Sequence, residues 1–532
     1  MAKAKRSRPA QRPVAIPDDP AGWYRDPILW AITALAAILL LWNLGGRCLW
    51  EDEAETALLG RNILQFGRPV ATDGINLISQ EAGREFGADR VWRWSPWVQF
   101  YLGAAGLKAF GDTTTGARLP FAILSILVIP LLYLLARRVY ESILVARFAA
   151  FALTFSVWFL LHGRQARWHA PAYVLACVIL IAVFETRRSI VWTVVLALAG
   201  AALFYTNYFV AICFLVAIAV ASPLLMWGGF SNPPGRVGGP VLHFIRLGSG
   251  LAGAALLSAP GIVFFNVLGK AGGGESSAWS QFWIYVVQFV TFLAPLPLLI
   301  IAAWSDRRPA TRFLFALTVA TCVMLAFAPW TMFRYLTILF PVAALLTGVA
   351  LASLLRWNAV AGWIAVALLV LTSVLHRLPL GYMEVNGTRV ADDTGAPFVA
   401  FIKELISPPR DQECLAADYL NAHATPGETV LITYGDLVLQ FYTRMHVVGG
   451  LQGQPLTNDP DWIIARTFII SSEPGKDYSV LQHIKRNVDL KRYKLETSTP
   501  DPGIVGNPDP AFHTFREIPT APPLRVLRRQ HP

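Results

Sequence analysis

Residues 28–44 read ILWAITALAAILLLWNL, a run of 17 positions without an ionisable side chain. Roughly 17 to 25 apolar residues in a helix are enough to cross the hydrocarbon core of a bilayer. Ten more apolar blocks of similar length follow, too many for the core of a soluble domain. The sequence therefore predicts a mainly α, polytopic membrane protein with about 11 transmembrane helices, at 28–44, 118–135, 144–161, 171–184, 189–206, 208–227, 247–267, 285–303, 311–329, 334–355 and 358–378.

The composition agrees with this class. The chain is 55% hydrophobic and 15% charged, with a mean hydropathy of +0.48, whereas soluble domains carry about 25% charged residues. Its net charge of +11 comes from a basic tail and from arginine pairs at the ends of apolar blocks, such as Arg137–Arg138. This distribution is typical of membrane topology. We therefore expect the lipid bilayer as a partner, and no nucleic acid.

The five cysteines indicate no metal site. They form no CxxC pair and no Cys/His spacing, and three of them lie inside apolar blocks, at Cys177, Cys213 and Cys322. From this spacing we expect neither a structural disulfide framework nor a bound cofactor. A divalent cation at the acidic cluster described below is left open.

The positions of Lys and Arg determine the predicted orientation. The amphipathic segment Trp94–Phe110 is either an interfacial helix or a twelfth span. If it is interfacial and the N-terminus is cytoplasmic, seventeen basic residues fall in cytoplasmic segments, and the short outer loops hold only Arg164, Arg167, Lys270 and Arg334. If it crosses, this bias reverses. The positive-inside rule therefore favours an interfacial helix and an extracytoplasmic C-terminus, in the inner (plasma) membrane.

Three regions follow from this topology. They are a basic cytoplasmic tail (1–27), a transmembrane domain (28–380) with a long outer loop (45–117), and a soluble extracytoplasmic domain (381–532) that ends in a Pro-rich tail.

The C-terminal region has globular composition. Its pattern predicts a helix at Cys414–His423 and strands at Glu428–Thr433 and Trp462–Ser471. We expect a small α/β domain with a parallel sheet, and loose packing of the Pro-rich segment Gly503–Pro532.

Four carboxylates follow the first span, in the sequence WEDEAE at residues 50–55. One interpretation is a solvated acidic first turn, favoured by the dipole of the helix that follows. The other is a functional site, because clustered carboxylates at the membrane face suit a general base or a cation site.

Cationic and titratable residues are expected on the same outer face. Arg93 precedes the interfacial helix, Arg334 opens the tenth span, and the third span ends in His162, Arg164, Arg167 and His169. One interpretation is that these side chains only anchor the helices at the membrane interface, with their charged ends in the headgroup region. Their functional interpretation is the binding of a lipid phosphate. One carboxylate to accept a proton and several cations to hold a phosphate are the parts needed for transfer from a phosphate ester.

The order of these features resembles the membrane-embedded glycosyltransferases of the C-type fold. The likeness is closest to the family 39 type, the dolichyl-phosphate-mannose protein mannosyltransferases and the aminoarabinose transferases of lipid A. It rests on LWEDEAE (49–55), FGRP (66–69), SPWVQFYL (95–102), AFG (109–111), ARLP (117–120), QARWH (165–169), RYL (334–336), FP (340–341), ADYL (417–420) and TPGETV (425–430). Order and spacing carry the resemblance more than any single motif.

The resemblance implies an inverting transfer of a sugar from a polyprenyl-phosphate donor on the outer face. The family's catalytic Asp corresponds to Asp52, with Glu53 in a supporting role. Two departures stand out, since Ser95 replaces a family Lys and His169 stands where many members have Asp. We therefore assign the donor phosphate to Arg93, Arg167 and Arg334, and donor or acceptor contacts to Trp94, His169 and Tyr335.

The predicted acceptor is a hydroxyl of a cell-envelope lipid, glycan or protein. Two other functions are kept as alternatives, a transporter or flippase of lipid-linked or small solutes and a non-catalytic relative. Charged residues outside the membrane and the absence of a visible inverted repeat argue against transport.

Overall fold

The structure is a computed structural model. It describes residues 20–227, 239–270, 277–328, 331–377, 384–385, 388–389, 397–409, 411–466, 476–501, 503, 506–513, 515 and 521–530. Most of the predicted basic tail (1–19) and the end of the second predicted strand (467–471) lie outside the described residues.

Helices make up most of the described chain. They are α1 Pro27–Leu41, α2 Glu51–Phe66, α3 Val98–Phe110, α4 Thr114–Tyr140, α5 Ile143–Thr154, α6 Val157–Gly163, α7 His169–Glu185, α8 Val191–Thr206, α9 Tyr208–Ala221, α10 Pro223–Trp227, α11 Pro240–Phe264, α12 Ala278–Gln288, α13 Leu296–Ser305, α14 Pro309–Leu325, α15 Phe333–Leu336, α16 Phe340–Trp357, α17 Ala359–Leu371, α18 Val374–Arg377, α19 Pro397–Ile406, α20 Gln412–His423, α21 Asp436–Tyr442 and α22 Lys476–Asn487. A π-helical turn, Phe289–Leu293, follows α12.

Every predicted span coincides with a helix or a helix pair, which confirms the mainly helical fold. In the described residues, four helical segments are long and apolar enough to cross a membrane, and two bent pairs raise this number to six. Five more apolar helices have 10–17 residues. The count of eleven spans stays a prediction.

Two helix pairs are bent, and a proline explains the second bend. The pair α5–α6 bends by 65° at Phe155–Ser156, and the pair formed by α12 and α13 bends by 89° at Ala294–Pro295. Pro295 has no backbone N–H to continue a helix. The first break starts the short helix α6, which ends beside the acidic cluster and carries His162.

The amphipathic segment forms the helix α3, which begins at Val98 and is therefore one turn shorter than predicted. It packs between α2 and α4, where its Gly103 approaches Thr56 of α2 and its Gly106 approaches Gly116 of α4. The placement of α3 along the membrane surface stays a prediction.

The C-terminal domain contains a five-stranded sheet. Its strands are β3 Thr429–Ile432, β4 His446–Gly449, β5 Trp462–Ala465, β6 Tyr493–Pro500 and β7 Pro523–Arg529, in the order β4-β3-β5-β7-β6; β1 Glu384–Val385 and β2 Thr388–Arg389 pair separately. Strand β3 is parallel to β4 and β5, whereas β7 is antiparallel to β5 and β6. The prediction of a parallel sheet holds for the first three strands and is wrong for the last two.

The expectation of loose packing after Gly503 is also wrong for the described residues. Strand β7 lies between β5 and β6 in the sheet, and its alternate residues Leu524 and Val526 are buried. Asn507 and Asp509 are buried against the transmembrane domain, at 2% and 4% exposure.

A disulfide joins the outer loop to the C-terminal domain, contrary to the expectation from cysteine spacing. It links Cys48 to Cys414, whose Cα atoms lie 6.0 Å apart, across a sequence separation of 366 residues. Disulfides persist in oxidising compartments. This bond therefore agrees with an extracytoplasmic position for both regions.

Candidate functional site

The acidic cluster forms the first turn of α2, and its carboxylates point in different directions. Asp52 lies on the side that faces α7 and α15. Its Oδ2 atom is 2.5 Å from Nη1 of Arg334 and 3.2 Å from Nη2 of Arg167. Among the described residues, no donor bonds Oδ1, and 13% of the side chain stays exposed. Asp52 is thus held by two arginines and keeps one oxygen for another partner.

Glu53 points the other way and is fully buried. Its Oε1 accepts from Nε of Arg118 at 2.8 Å and from the backbone N–H of Ala166 at 2.8 Å, and its Oε2 accepts from Nη2 of Arg118 at 2.6 Å. Arg118 also donates to three carbonyls of the loop before α2, those of Leu44, Arg47 and Cys48. This pair connects α2, α4 and the turn before α7, which agrees with a supporting role.

Glu55 lies one turn after the start of α2, beside Arg167. Its Oε1 is 3.1 Å from Nη1 of Arg167, and its Oε2 accepts from Nε2 of Gln80 at 3.0 Å. Burial raises the pKa of Glu55 to about 7, since this effect exceeds the opposing effect of Arg167. A carboxyl that changes charge near neutral pH therefore borders the arginine pair.

Arg334 is oriented from three sides. Its Nη1 bonds Asp52, its Nε lies 3.4 Å from Oδ2 of Asp509, and its guanidinium carbon lies 5.4 Å above the ring of Trp50. Trp50 is fixed in turn, because its Nε1 donates to Gln165 at 3.1 Å. A guanidinium in this setting keeps its charge and presents a planar fork.

Of the residues predicted from sequence, Asp52, Arg167 and Arg334 meet in this group. His169 lies behind it, where its Nδ1 is 3.3 Å from the hydroxyl of Thr337. Tyr335 stacks on Trp168 with ring centroids 6.5 Å apart.

Arg93 and Trp94 belong to a neighbouring group. Arg93 pairs with the exposed Asp89 and lies over Phe264, while Trp94 lies 4.9 Å below Nζ of Lys270. Lys270 donates to the carbonyls of Arg93, Trp94 and Phe265, at 2.8 to 2.9 Å. These three bonds use all its N–H donors, so Lys270 binds the chain rather than an anion here. The phosphate role of Arg93 stays a prediction.

Sequence reasoning missed Asp509, which approaches the site from the C-terminal tail. A single Asp between two prolines carries no periodic signal of burial. Within the described residues, no group of three or more His, Cys, Asp or Glu side chains is arranged to hold a metal ion.

A sequence profile of the family "Dolichyl-phosphate-mannose-protein mannosyltransferase" matches residues 95–231. This confirms the resemblance to the family 39 type over that segment. No curated protein matches the chain.

Two solved structures of ArnT from Cupriavidus metallidurans are similar over most of the chain. The form bound to undecaprenyl phosphate has 15% identity and a TM-score of 0.54, and covers 94% of this chain and 98% of its own. The apo form has 16% identity and a TM-score of 0.50, and covers 88% and 89%. At these identities the likeness shows that the chain shares their fold.

Proposed function

We propose that the chain is an inverting glycosyltransferase that moves a sugar from a polyprenyl-phosphate donor to a hydroxyl of a cell-envelope lipid, glycan or protein. The observation that carries the proposal is the contact of Asp52 with Arg167 and Arg334. These residues come from α2, the turn before α7 and α15, so the fold brings a carboxylate and two guanidinium forks together from distant parts of the chain. The match to a mannosyltransferase profile, and an ArnT structure bound to undecaprenyl phosphate, support this class of donor.

Asp52 is the proposed general base, and its Oδ1 atom accepts the proton. The acceptor oxygen bonds the anomeric carbon as the bond from that carbon to the phosphate oxygen breaks. The proton of the hydroxyl moves to Asp52, and the electron pair leaves with polyprenyl phosphate. Attack on the face opposite the phosphate inverts the anomeric centre. One carboxylate suffices, unlike the pair of a glycosidase, because phosphate needs no protonating acid to leave.

Arg167 and Arg334 are the proposed phosphate ligands. A phosphate that draws the two forks away from Oδ2 also frees the carboxylate to act as a base. The forks then stabilise the charge that the leaving phosphate retains. Glu53 keeps α2 in place through Arg118 and takes no part in proton transfer.

Purified protein and a panel of polyprenyl-phosphate sugars test this proposal, with released polyprenyl phosphate as the readout. We expect turnover with at least one sugar in the presence of envelope acceptors. Release of no polyprenyl phosphate from any donor, with folded protein, contradicts the proposal.

The proposed topology places the reaction outside the cytoplasm of a multi-pass inner-membrane protein. The disulfide between Cys48 and Cys414 supports this side for the outer loop and the C-terminal domain. A C-terminal alkaline phosphatase fusion should be active, and a fluorescent protein fusion dark. The opposite pattern would mean that Trp94–Phe110 crosses the membrane.

A further inference from the structure

A short segment of the C-terminal domain, residues 506–513, is inserted beside Arg334. The carbonyl of Gly506 accepts from Nε2 of Gln165 at 3.0 Å. A Cβ added to Gly506 would lie 2.9 Å from Cβ of Trp50, so the backbone approaches Trp50 closely. The C-terminal domain is thereby in direct contact with the residues that surround Asp52.

Asp509 is held within this segment by its own backbone. Its N–H donates to Oδ1 of Asn507 at 2.9 Å, and its carbonyl accepts from the N–H groups of Phe512 and His513 at 2.9 Å. This local turn leaves the carboxylate free to point toward Arg334 and His162. Burial would raise the pKa of Asp509, but Arg334 and His162 hold it below its usual range. The side chain is therefore a carboxylate.

His162 contacts the other oxygen of the Asp509 carboxylate. Its Nδ1 lies 2.8 Å from the carbonyl of Trp158, and its Nε2 lies 3.1 Å from Oδ1 of Asp509. Asp509 therefore contacts His162 through Oδ1 and Arg334 through Oδ2.

The ion pair with Asp509 occupies only one edge of the Arg334 guanidinium. Nε faces Asp509, while Nη1 reaches Asp52. Within the described residues, Nη2 of Arg334 bonds no acceptor. Because a guanidinium is planar and rigid, fixing its Nε edge also fixes the direction of its Nη atoms.

We infer that Asp509 is a positioning residue, which turns the fork of Arg334 toward Asp52 and the donor phosphate. This inference rests on the proposed function. It gives the extracytoplasmic domain a direct part in the site, since a residue more than 170 positions after Arg334 sets the direction of its guanidinium.

Asp509→Asn tests the inference, because Asn keeps the size of the side chain and removes its charge. Binding of polyprenyl phosphate and the KM for the donor are measured on full-length protein in detergent. We expect binding to weaken and KM to rise about tenfold, because the ion pair that orients the Arg334 guanidinium is lost. The kcat should fall less than KM rises, and Asp509→Glu should restore part of the affinity.

Glu404→Gln is the matched control. Glu404 contacts His513 of the same segment at 2.9 Å, so it anchors the segment through the same kind of pair without reaching Arg334. It should reduce thermal stability as Asp509→Asn does, and leave donor affinity unchanged. Adding Asp509→Asn to Arg334→Lys should have little further effect, because Lys has no Nε edge to orient.

Unchanged donor affinity in folded Asp509→Asn protein would overturn the inference. Tighter binding would also overturn it, since Asp509 would then compete with the phosphate for Arg334. If Glu404→Gln weakens donor binding as much as Asp509→Asn does, Asp509 only anchors the segment and does not orient Arg334. If the wild-type protein transfers no sugar, the proposed function fails on its own, and direct binding of polyprenyl phosphate still tests Asp509.

Discussion

Replacement of Glu53 by Gln separates the structural carboxylate of the cluster from the proposed catalytic one. Glu53 accepts three hydrogen bonds with two oxygens, whereas Gln offers a single acceptor oxygen. Its amide nitrogen would face an N–H group of Arg118, and the buried guanidinium would lose its counter-charge. Breaking a buried ion pair in this way costs about 3–5 kcal/mol. We therefore expect a large loss of stability.

The assay records the midpoint of thermal unfolding in detergent together with turnover per folded molecule. For the loss above, the midpoint should fall by about 3–5 °C, while turnover at low temperature falls at most a few-fold. Asp89→Asn is the control, because Asp89 makes a similar two-bond contact with Arg93 at the surface. Water screens that pair, so its loss should barely move the midpoint.

The reasoning is refuted if Glu53→Gln protein is as stable as the wild type but inactive. Glu53 would then be a reacting group rather than a support. A midpoint shift as large in Asp89→Asn would show that burial does not decide the strength of these pairs.

Two further predictions concern the arginines and Glu55. Arg167→Ala and Arg334→Ala should each weaken donor binding, with partial rescue by Lys, because a point charge replaces a bidentate fork; unchanged affinity in both removes them from the site. The donor KM should rise as pH increases through about 7. Glu55 becomes negative in that range and then competes with the donor phosphate for Arg167. The groups that face Glu55 are Arg167, Asp52, Glu85 and Gln80. Glu55→Gln should flatten this pH profile of the donor KM. If the profile is unaltered, another group causes the pH dependence.

The helical part of the fold is predictable from the sequence because hydrophobicity is a local property. Each apolar block needs only its own residues to indicate a helix. The sheet is different, since its strand order depends on contacts between distant segments. Strand β7 had a readable signal, in which buried Leu524 and Val526 flank the exposed Arg525. The prolines around the strand favoured the prediction of a loosely packed segment instead.

The site was predictable only in part, for a related reason. Topology alone brings Asp52, Arg167 and Arg334 to one face, and the three are in contact. The partners of each carboxylate depend on side-chain directions within one helical turn, which the sequence does not specify. Asp509 and the bond between Cys48 and Cys414 arise from docking of the C-terminal domain, and no spacing rule connects residues so far apart.

Asp52→Asn is the most direct test of the proposed mechanism. Asn is nearly the same size and can still accept a hydrogen bond from Arg334, but it cannot take up a proton at neutral pH. Turnover per folded molecule should fall roughly 10²–10⁴-fold, with the thermal midpoint and donor binding close to those of the wild type. A stable Asp52→Asn protein that transfers sugar at the wild-type rate would contradict the assignment of Asp52 as the general base.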